Sequence, residues 1–342
     1  MQRGLARSRA IKHPSGVTVQ TPLLVPGFSS KGFRFRENKS EAAYWLKEVA
    51  SQVLEESFLV SAYDIKHKFM YQPGRFPCRV RLVFVDSGGY ETSDDHDLPS
   101  IRKDNWRIKE WAKWDVAKLE GVLKRWPKRV PAVFISYDRS DKKVGLKKQI
   151  EKAHKMFTKF PEHLHEFLVK PERGKKYIDT GHICANIEKF GDFSIIGLTE
   201  KELGKSLMER MVSVANIRLA LDRTGNEAPI HVFGSLDTIT SSLYFLAGVE
   251  IFDGLTWLRY GYWQDQAVYY QNYAFLKKMS LSESDENVIA YMLLDNLRYL
   301  VKLRDKMTGY LLTGSFNKFG KSIKELIHEA YDILRTKLGG QI

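Results

Sequence analysis

The chain has 342 residues, with 54 Lys and Arg against 41 Asp and Glu (formal charge +13) and two cysteines, Cys78 and Cys184. A composition 43% hydrophobic and 28% charged excludes a disordered or collagen-like chain, and two cysteines are too few for a disulfide framework or a Cys-rich zinc module. No apolar stretch approaches the ~18 residues that cross a bilayer, and no apolar run follows the basic start (Arg3, Arg7, Arg9, Lys12), so a cytoplasmic protein without a membrane partner is expected.

Short β-rich apolar runs recur along the chain: Pro22–Pro26, Phe58–Ala62, Val80–Val85, Val130–Tyr137, Phe167–Lys170, Phe193–Leu198, Ile230–Phe233 and Val249–Phe252. Helical patterns lie between several of them. Ala42, Trp45, Leu46, Val49 and Val53 share one helical face, and Lys201–Leu221 repeats the pattern with Leu203, Leu207, Met211, Val214 and Leu221. Helices alternating with continuously apolar strands imply parallel strands buried on both faces. Eight such strands are the count of an α/β protein of the (β/α)8 barrel type; a doubly wound open sheet is the rival architecture. A single barrel domain over 1–342 is expected. It carries a basic insertion at about 94–129 and C-terminal helices at about 284–342, the latter spanning roughly Glu286–Met307 and Ser322–Leu338 around a Gly314–Gly320 loop. Those helices are expected to close over the barrel.

The insertion interrupts the rhythm. Arg102–Arg129 holds ten basic residues, four acidic ones and four of the seven tryptophans. Its cations suit a polyanionic partner, while Trp111 and Trp114 also fit a buried helix face. Lys142 to Lys159 forms a further basic stretch.

Barrel active sites lie where strands run into the following loops. After the third run comes Asp86-Ser87-Gly88-Gly89-Tyr90-Glu91, and after the fourth, Asp138. The sixth ends in Gly197-Leu198-Thr199-Glu200. Gly234-Ser235 follows the seventh run and Asp253-Gly254 the eighth. Three aspartates therefore converge on one predicted rim. Paired carboxylates there suit glycosyl transfer, one attacking a sugar carbon while another handles the proton. The same residues also suit simpler roles, because Asp-Ser-Gly-Gly forms turns and Asp after a strand caps the next helix.

Several segments together resemble the tRNA-guanine transglycosylase superfamily, whose fold is a (β/α)8 barrel. Val19-Gln20-Thr21-Pro22-Leu23-Leu24-Val25-Pro26 is similar to its first strand, and Asp86-Ser87-Gly88-Gly89-Tyr90-Glu91 to its Asp-Ser-Gly-Gly-Phe-Gln signature. Ile230-His231-Val232-Phe233-Gly234 with Ile251-Phe252-Asp253 resembles its last two strands, and Asp295-Asn296-Leu297-Arg298-Tyr299-Leu300 its C-terminal helix. The resemblance spans roughly Gln20 to Thr308. It implies that Asp253 is the nucleophile and Asp86 the general acid/base. Ser87, Asp138, Gly197, Leu198 and Gly234 would contact the base.

Two departures accompany the resemblance. Lys170-Pro171 stands near a family glutamine. No Cys and no His occurs between Asp253 and Glu286, where family members carry a Cys-rich zinc site, so no metal site is expected. His182 and Cys184 lack partners for one and read as structural. Arg259-Tyr260-Gly261-Tyr262-Trp263 with Tyr269, Tyr270 and Tyr273 stands in that segment instead, as a backbone-neutralising and stacking surface or as a packing segment.

The resemblance thus implies a guanine transglycosylase that inserts a 7-deazaguanine base such as preQ0 and needs no cofactor. The missing zinc segment, the basic insertion and the lack of an appended RNA-binding domain favour the DNA-modifying, DpdA-like branch over one acting on tRNA. Partner proteins that open the duplex are a further possibility of this branch. Arg102, Lys103, Arg107, Lys109, Lys113, Arg259 and Tyr260 are the expected nucleic-acid contacts. A non-catalytic nucleic-acid-binding subunit and a barrel hydrolase of small glycosides are the alternatives.

Overall fold

The computed structural model describes residues 2–31, 33–36, 39–93, 112–137 and 143–342. All eight apolar runs become strands: β1 (Leu23–Phe28), β2 (Ser57–Ser61), β3 (Leu82–Asp86), β4 (Ala132–Ile135), β5 (Leu164–Val169), β6 (Ile195–Thr199), β7 (Ile230–Phe233) and β8 (Ile251–Gly254). Each runs parallel to its neighbours, and β8 returns to β1 with Asp253 opposite Val25, so the sheet closes in chain order. The chain is a (β/α)8 barrel.

Both faces of the strands are apolar because both are buried. Leu23, Val25, Leu59, Phe84, Ile135 and Ile195 point inward into one cluster, while Phe58, Val60, Val85 and Phe134 point outward against the helices. A hairpin of Ala10–Lys12 and Thr18–Gln20 contributes Ile11 and Val19 to the inner cluster and so plugs the N-terminal end of the barrel.

The outer layer comprises α1 (Glu41–Glu48), α2 (Ala62–Lys66), α3 (Val116–Leu123), α4 (Leu146–Phe157), α5 (Thr180–Ala185), α6 (Leu207–Arg223) and α7 (Thr240–Leu246). Then follow α8 (Thr256–Arg259), α9 (Tyr270–Leu276), α10 (Asp285–Thr313) and α11 (Lys324–Lys337). On α4 the buried residues are Leu146, Ile150, Ala153, Met156 and Phe157, the stripe a 3.6-residue period produces.

Two helix boundaries differ from the sequence pattern. The helix expected over Lys201–Leu221 begins only at Leu207, after a 3-10 turn at Glu200–Glu202, because Ser206 accepts the Glu209 N–H as an N-cap. The first helical pattern likewise divides, with α1 ending at Glu48 and a 3-10 turn at Ala50–Gln52. The second half of the basic insertion is α3 itself, whose Leu119, Val122 and Leu123 are buried. The C-terminal helices pack against the barrel. Arg304 of α10 donates to the Pro22 and Gln20 carbonyls at 2.9 and 2.8 Å and pairs with Glu56 at 2.5 Å, while α11 packs on α6 and α7. The Gly314–Gly320 connection contains a 3-10 turn, Phe316–Phe319.

A charged cluster ties the N-terminal segment to α6 and the start of β8. Arg7 and Arg218 meet Asp222 at 2.7 and 2.9 Å, and Arg9 and Arg218 approach the buried Glu250 at 3.4 and 3.5 Å. Among the described residues no helix is long and apolar enough to cross a membrane.

Candidate active site

The C-terminal ends of the strands surround a cavity of about 340 Å³. Asp86, Tyr90, Thr199, Gly234, Asp253 and Arg259 are among its lining residues. Asp86 closes β3, and its Oδ2 accepts the Gly88 N–H at 3.0 Å. The turn after it demands glycine: Gly88 has φ +88°, and a Cβ there would lie 2.8 Å from Trp114 Nε1 and 2.9 Å from Tyr63 Cβ. Trp114 is buried but lies in irregular backbone before α3 rather than on a helix face, and it donates from Nε1 to the Ser87 carbonyl at 2.7 Å. Ser87 itself is fully buried, its Oγ accepting from the Gly89 N–H at 3.4 Å, and lies behind the cavity wall.

The loop beyond is held from below. Lys31, 2% exposed, donates to the carbonyls of Tyr90 and Ser93 at 2.6 and 2.7 Å and lies 4.5 Å from the Tyr90 ring centre. Glu91 is buried between Ser29 and Ser61, whose hydroxyls donate to its two oxygens at 2.5 and 2.7 Å. Burial raises the Glu91 carboxyl, against the pull of those two hydroxyls. The neighbouring Asp64 is raised as well, by burial and by the charge of Glu91.

On the opposite side Asp253 is the penultimate residue of β8 and is only 7% exposed. Its Oδ1 accepts the Gly234 N–H at 3.1 Å; Gly234 has φ +82°, which directs that amide. Underneath is a contact that sequence reading did not find. His231 of β7 places Nε2 at 3.4 Å from Asp253 Oδ1, an ion-pair distance, and Nδ1 at 2.8 Å from Glu166 Oε1 on β5. Glu166 and His231 are both completely buried. Burial alone would lower the imidazole, but the charges of Glu166 and Asp253 outweigh it and hold His231 up to about 9. The signal was a charged or ionisable residue inside each of two apolar strands. His231 stood within a motif, and Glu166 fell just outside the Phe167–Lys170 run.

Gly197 of β6 does not line the cavity but faces this pair: a Cβ would meet Glu166 Oε1 at 2.7 Å and Phe233 at 2.9 Å. Leu198 points outward into the helix-side core. Thr199 and Glu200 take the lining positions expected of Gly197 and Leu198. Glu200 is bound by the Tyr244 hydroxyl at 3.0 Å and Arg210 at 3.2 Å. Lys170 also lines the cavity, 2.7 Å from Glu202 and 3.2 Å from Thr199 Oγ1.

The expected nucleic-acid contacts divide. Arg259 is at the cavity wall, 5.5 Å from the Phe33 ring centre. Tyr260 is half-buried and its carbonyl accepts from Asn296 at 2.7 Å. Tyr262 and Tyr273 belong to the core, so for them the packing reading holds. Lys113 is exposed. Asp138, Arg102, Lys103, Arg107 and Lys109 lie outside the described residues, as does Trp111. His182 is exposed, 3.5 Å from Glu172, and Cys184 is half-buried. Among the described residues no group of three or more His, Cys, Asp or Glu could hold a metal ion.

Two carboxylates on one small cavity, one with an N–H and an imidazole on a single oxygen, can divide nucleophilic and proton-transfer work. No family model matches the chain, and no curated protein matches its sequence.

Proposed function

We propose that the protein is a base-exchange transglycosylase that replaces guanine in DNA with a 7-deazaguanine base. The observation that carries this reading is the placement of Asp86 and Asp253 at the ends of β3 and β8 on one cavity of about 340 Å³. That volume suits a single flat heterocycle. The resemblance of the Asp86–Glu91, Ile230–Gly234 and Ile251–Asp253 motifs supplies the reaction class.

In this reading the target nucleotide leaves its stack to enter the cavity. Gly234 N–H and His231 both engage Asp253 Oδ1, so Oδ2 is assigned as the attacking oxygen. A lone pair of Oδ2 forms a bond to C1′, the C1′–N9 bond breaks, and Asp86 delivers a proton to the departing guanine. The entering base then gives its N9 proton to Asp86 and displaces Asp253, which regains its electron pair. Tyr90 at the wall offers a ring face to the heterocycle. The preference for DNA rests on the sequence departures, the missing Cys-rich segment and the basic insertion.

Labelled 7-deazaguanine base incubated with duplex DNA, single-stranded DNA or tRNA tests the reading. Label is expected in DNA, and Asp253→Asn is expected to abolish incorporation by at least about 1,000-fold while nucleic-acid affinity stays within a few-fold. Label entering tRNA alone overturns the DNA assignment. Undiminished exchange by Asp253→Asn overturns the nucleophile.

A further inference from the structure

A buried ion pair inside a barrel otherwise filled with Val, Ile, Leu and Phe is a poor means of stabilisation. Apolar residues of similar volume usually do as well or better, because two ions must be stripped of water. Glu166 and His231 are nevertheless both fully buried and 2.8 Å apart. Space is reserved for them: at Gly197 any Cβ would stand 2.7 Å from Glu166 Oε1. Glu166 Oε2 and His231 Nε2 are both buried with no hydrogen-bond partner among the described residues, Nε2 standing at ion-pair distance from Asp253. The pair reaches the cavity through one contact, His231 Nε2 to Asp253 Oδ1.

We propose that Glu166 and His231 are positioning residues that keep an imidazolium beneath Asp253 through every step of the reaction, fixing Oδ1 and balancing charge when Asp253 is esterified. This rests on the reading of Asp253 as nucleophile. The bookkeeping of charge gives the reason for two residues rather than one. Before attack the three groups carry two negative charges and one positive. Once Asp253 has formed its bond to C1′ its charge is gone, and His231 alone would be a stranded buried cation. Glu166 remains as its counterion, so the ester state leaves no unpaired charge in the barrel. When the entering base attacks, the imidazolium again meets the carboxylate that departs. No proton moves on the pair in either step. Among the described residues, the charged groups paired with His231 are Glu166 from β5 and Asp253 from β8; the rings of Phe84 of β3 and Phe233 of β7 pack on it, and Gly197 of β6 is its strand neighbour.

The test is the titration of His231 in the full-length protein, followed by NMR with ring-labelled histidine and assigned by loss of the signal in His231→Gln. An imidazolium at neutral pH with a midpoint near 9 is expected. In Glu166→Gln the midpoint should fall by at least about one unit, toward the ordinary histidine range. A neutral ring at pH 7 in the wild type, or a midpoint unmoved by Glu166→Gln, overturns the proposal. If Glu166→Gln does not fold, Glu166→Asp takes its place with the same expected downward movement. In exchange assays, His231→Gln, which keeps a side-chain N–H donor, is expected to retain at least about tenfold more activity than His231→Leu, itself down about 100-fold. Equal losses in the two variants would also overturn it. Absence of exchange on every nucleic acid would remove the proposed function and leave the titration result standing.

Discussion

At the scale of single residues, the site depends on atoms that are missing as much as on those present. Gly197 is the clearest case, because its absent Cβ is the volume that the Glu166 carboxylate fills. Gly197→Ala should therefore press Glu166 away from His231, destabilise the fold by about 1–3 kcal/mol and lower the His231 titration midpoint. Chemical denaturation with the NMR titration checks both, and an unchanged midpoint would show that the pair tolerates the intrusion. The sequence made the outer polar groups legible and left the inner pair hidden. Asp86 and Asp253 stand out because each follows a strand at the end where barrels do chemistry. Glu166 and His231 are 65 positions apart, and they meet because β5 and β7 flank β6, whose Gly197 leaves the space between them open. Ser87 and Gly197 were legible as motif residues, yet the fold sets both behind the cavity wall and gives them supporting work.

At the scale of elements, the strands were readable because burial on both faces leaves an uninterrupted apolar signature. Helix boundaries were less so, since a periodic pattern continues through a break that a cap imposes. Leu203 is apolar and on phase with α6, yet Ser206 starts the helix at Leu207. Glu200, directly after β6, lies in a 3-10 turn at the cavity wall. The C-terminal helix α10 is anchored at the far end of the barrel by Arg304, which reaches two carbonyls beside the start of β1 and the Glu56 carboxylate. Arg304→Ala should cost about 1–3 kcal/mol through those lost charge-assisted bonds. Hydrogen exchange is expected to quicken along α10 before the central strands. Uniform quickening through the barrel would mean that α10 and the sheet open as one unit.

At the scale of the whole molecule, buried ionisable groups at the two ends of the barrel respond to pH in the same direction over different ranges. Glu250 is pushed up to about 7 by burial, against the pull of Arg218, Arg9 and Arg7. A carboxyl raised on folding contributes stability that is complete below its ordinary value and lost as pH rises through about 7. For His231, raised to about 9, the contribution is complete below the ordinary histidine value and lost as pH rises through about 9. Unfolding free energy should thus decline in two stages, each on the order of 3 kcal/mol from shifts of about 2.5 units. Glu250→Gln should shrink the first stage, to which the buried Glu91, Asp64 and Glu166 carboxyls, raised likewise, also contribute, and His231→Gln should shrink the second. Denaturation curves at pH 5, 7.5 and 10 separate them, and a variant that keeps its stage undiminished would refute the assignment of that group.

The hairpin at Ala10–Lys12 and Thr18–Gln20 acquires a second meaning beside these titrations. With Ile11 and Val19 corking the lower end, the completely buried Glu166–His231 pair adjoins the cavity through Asp253. A ligand seated in that cavity would act as a stopper, and proton exchange between the pair and solvent would then wait on its departure. The barrel would hold the protonation state it had when the ligand entered. Its pH memory would be as long as the residence time of the ligand.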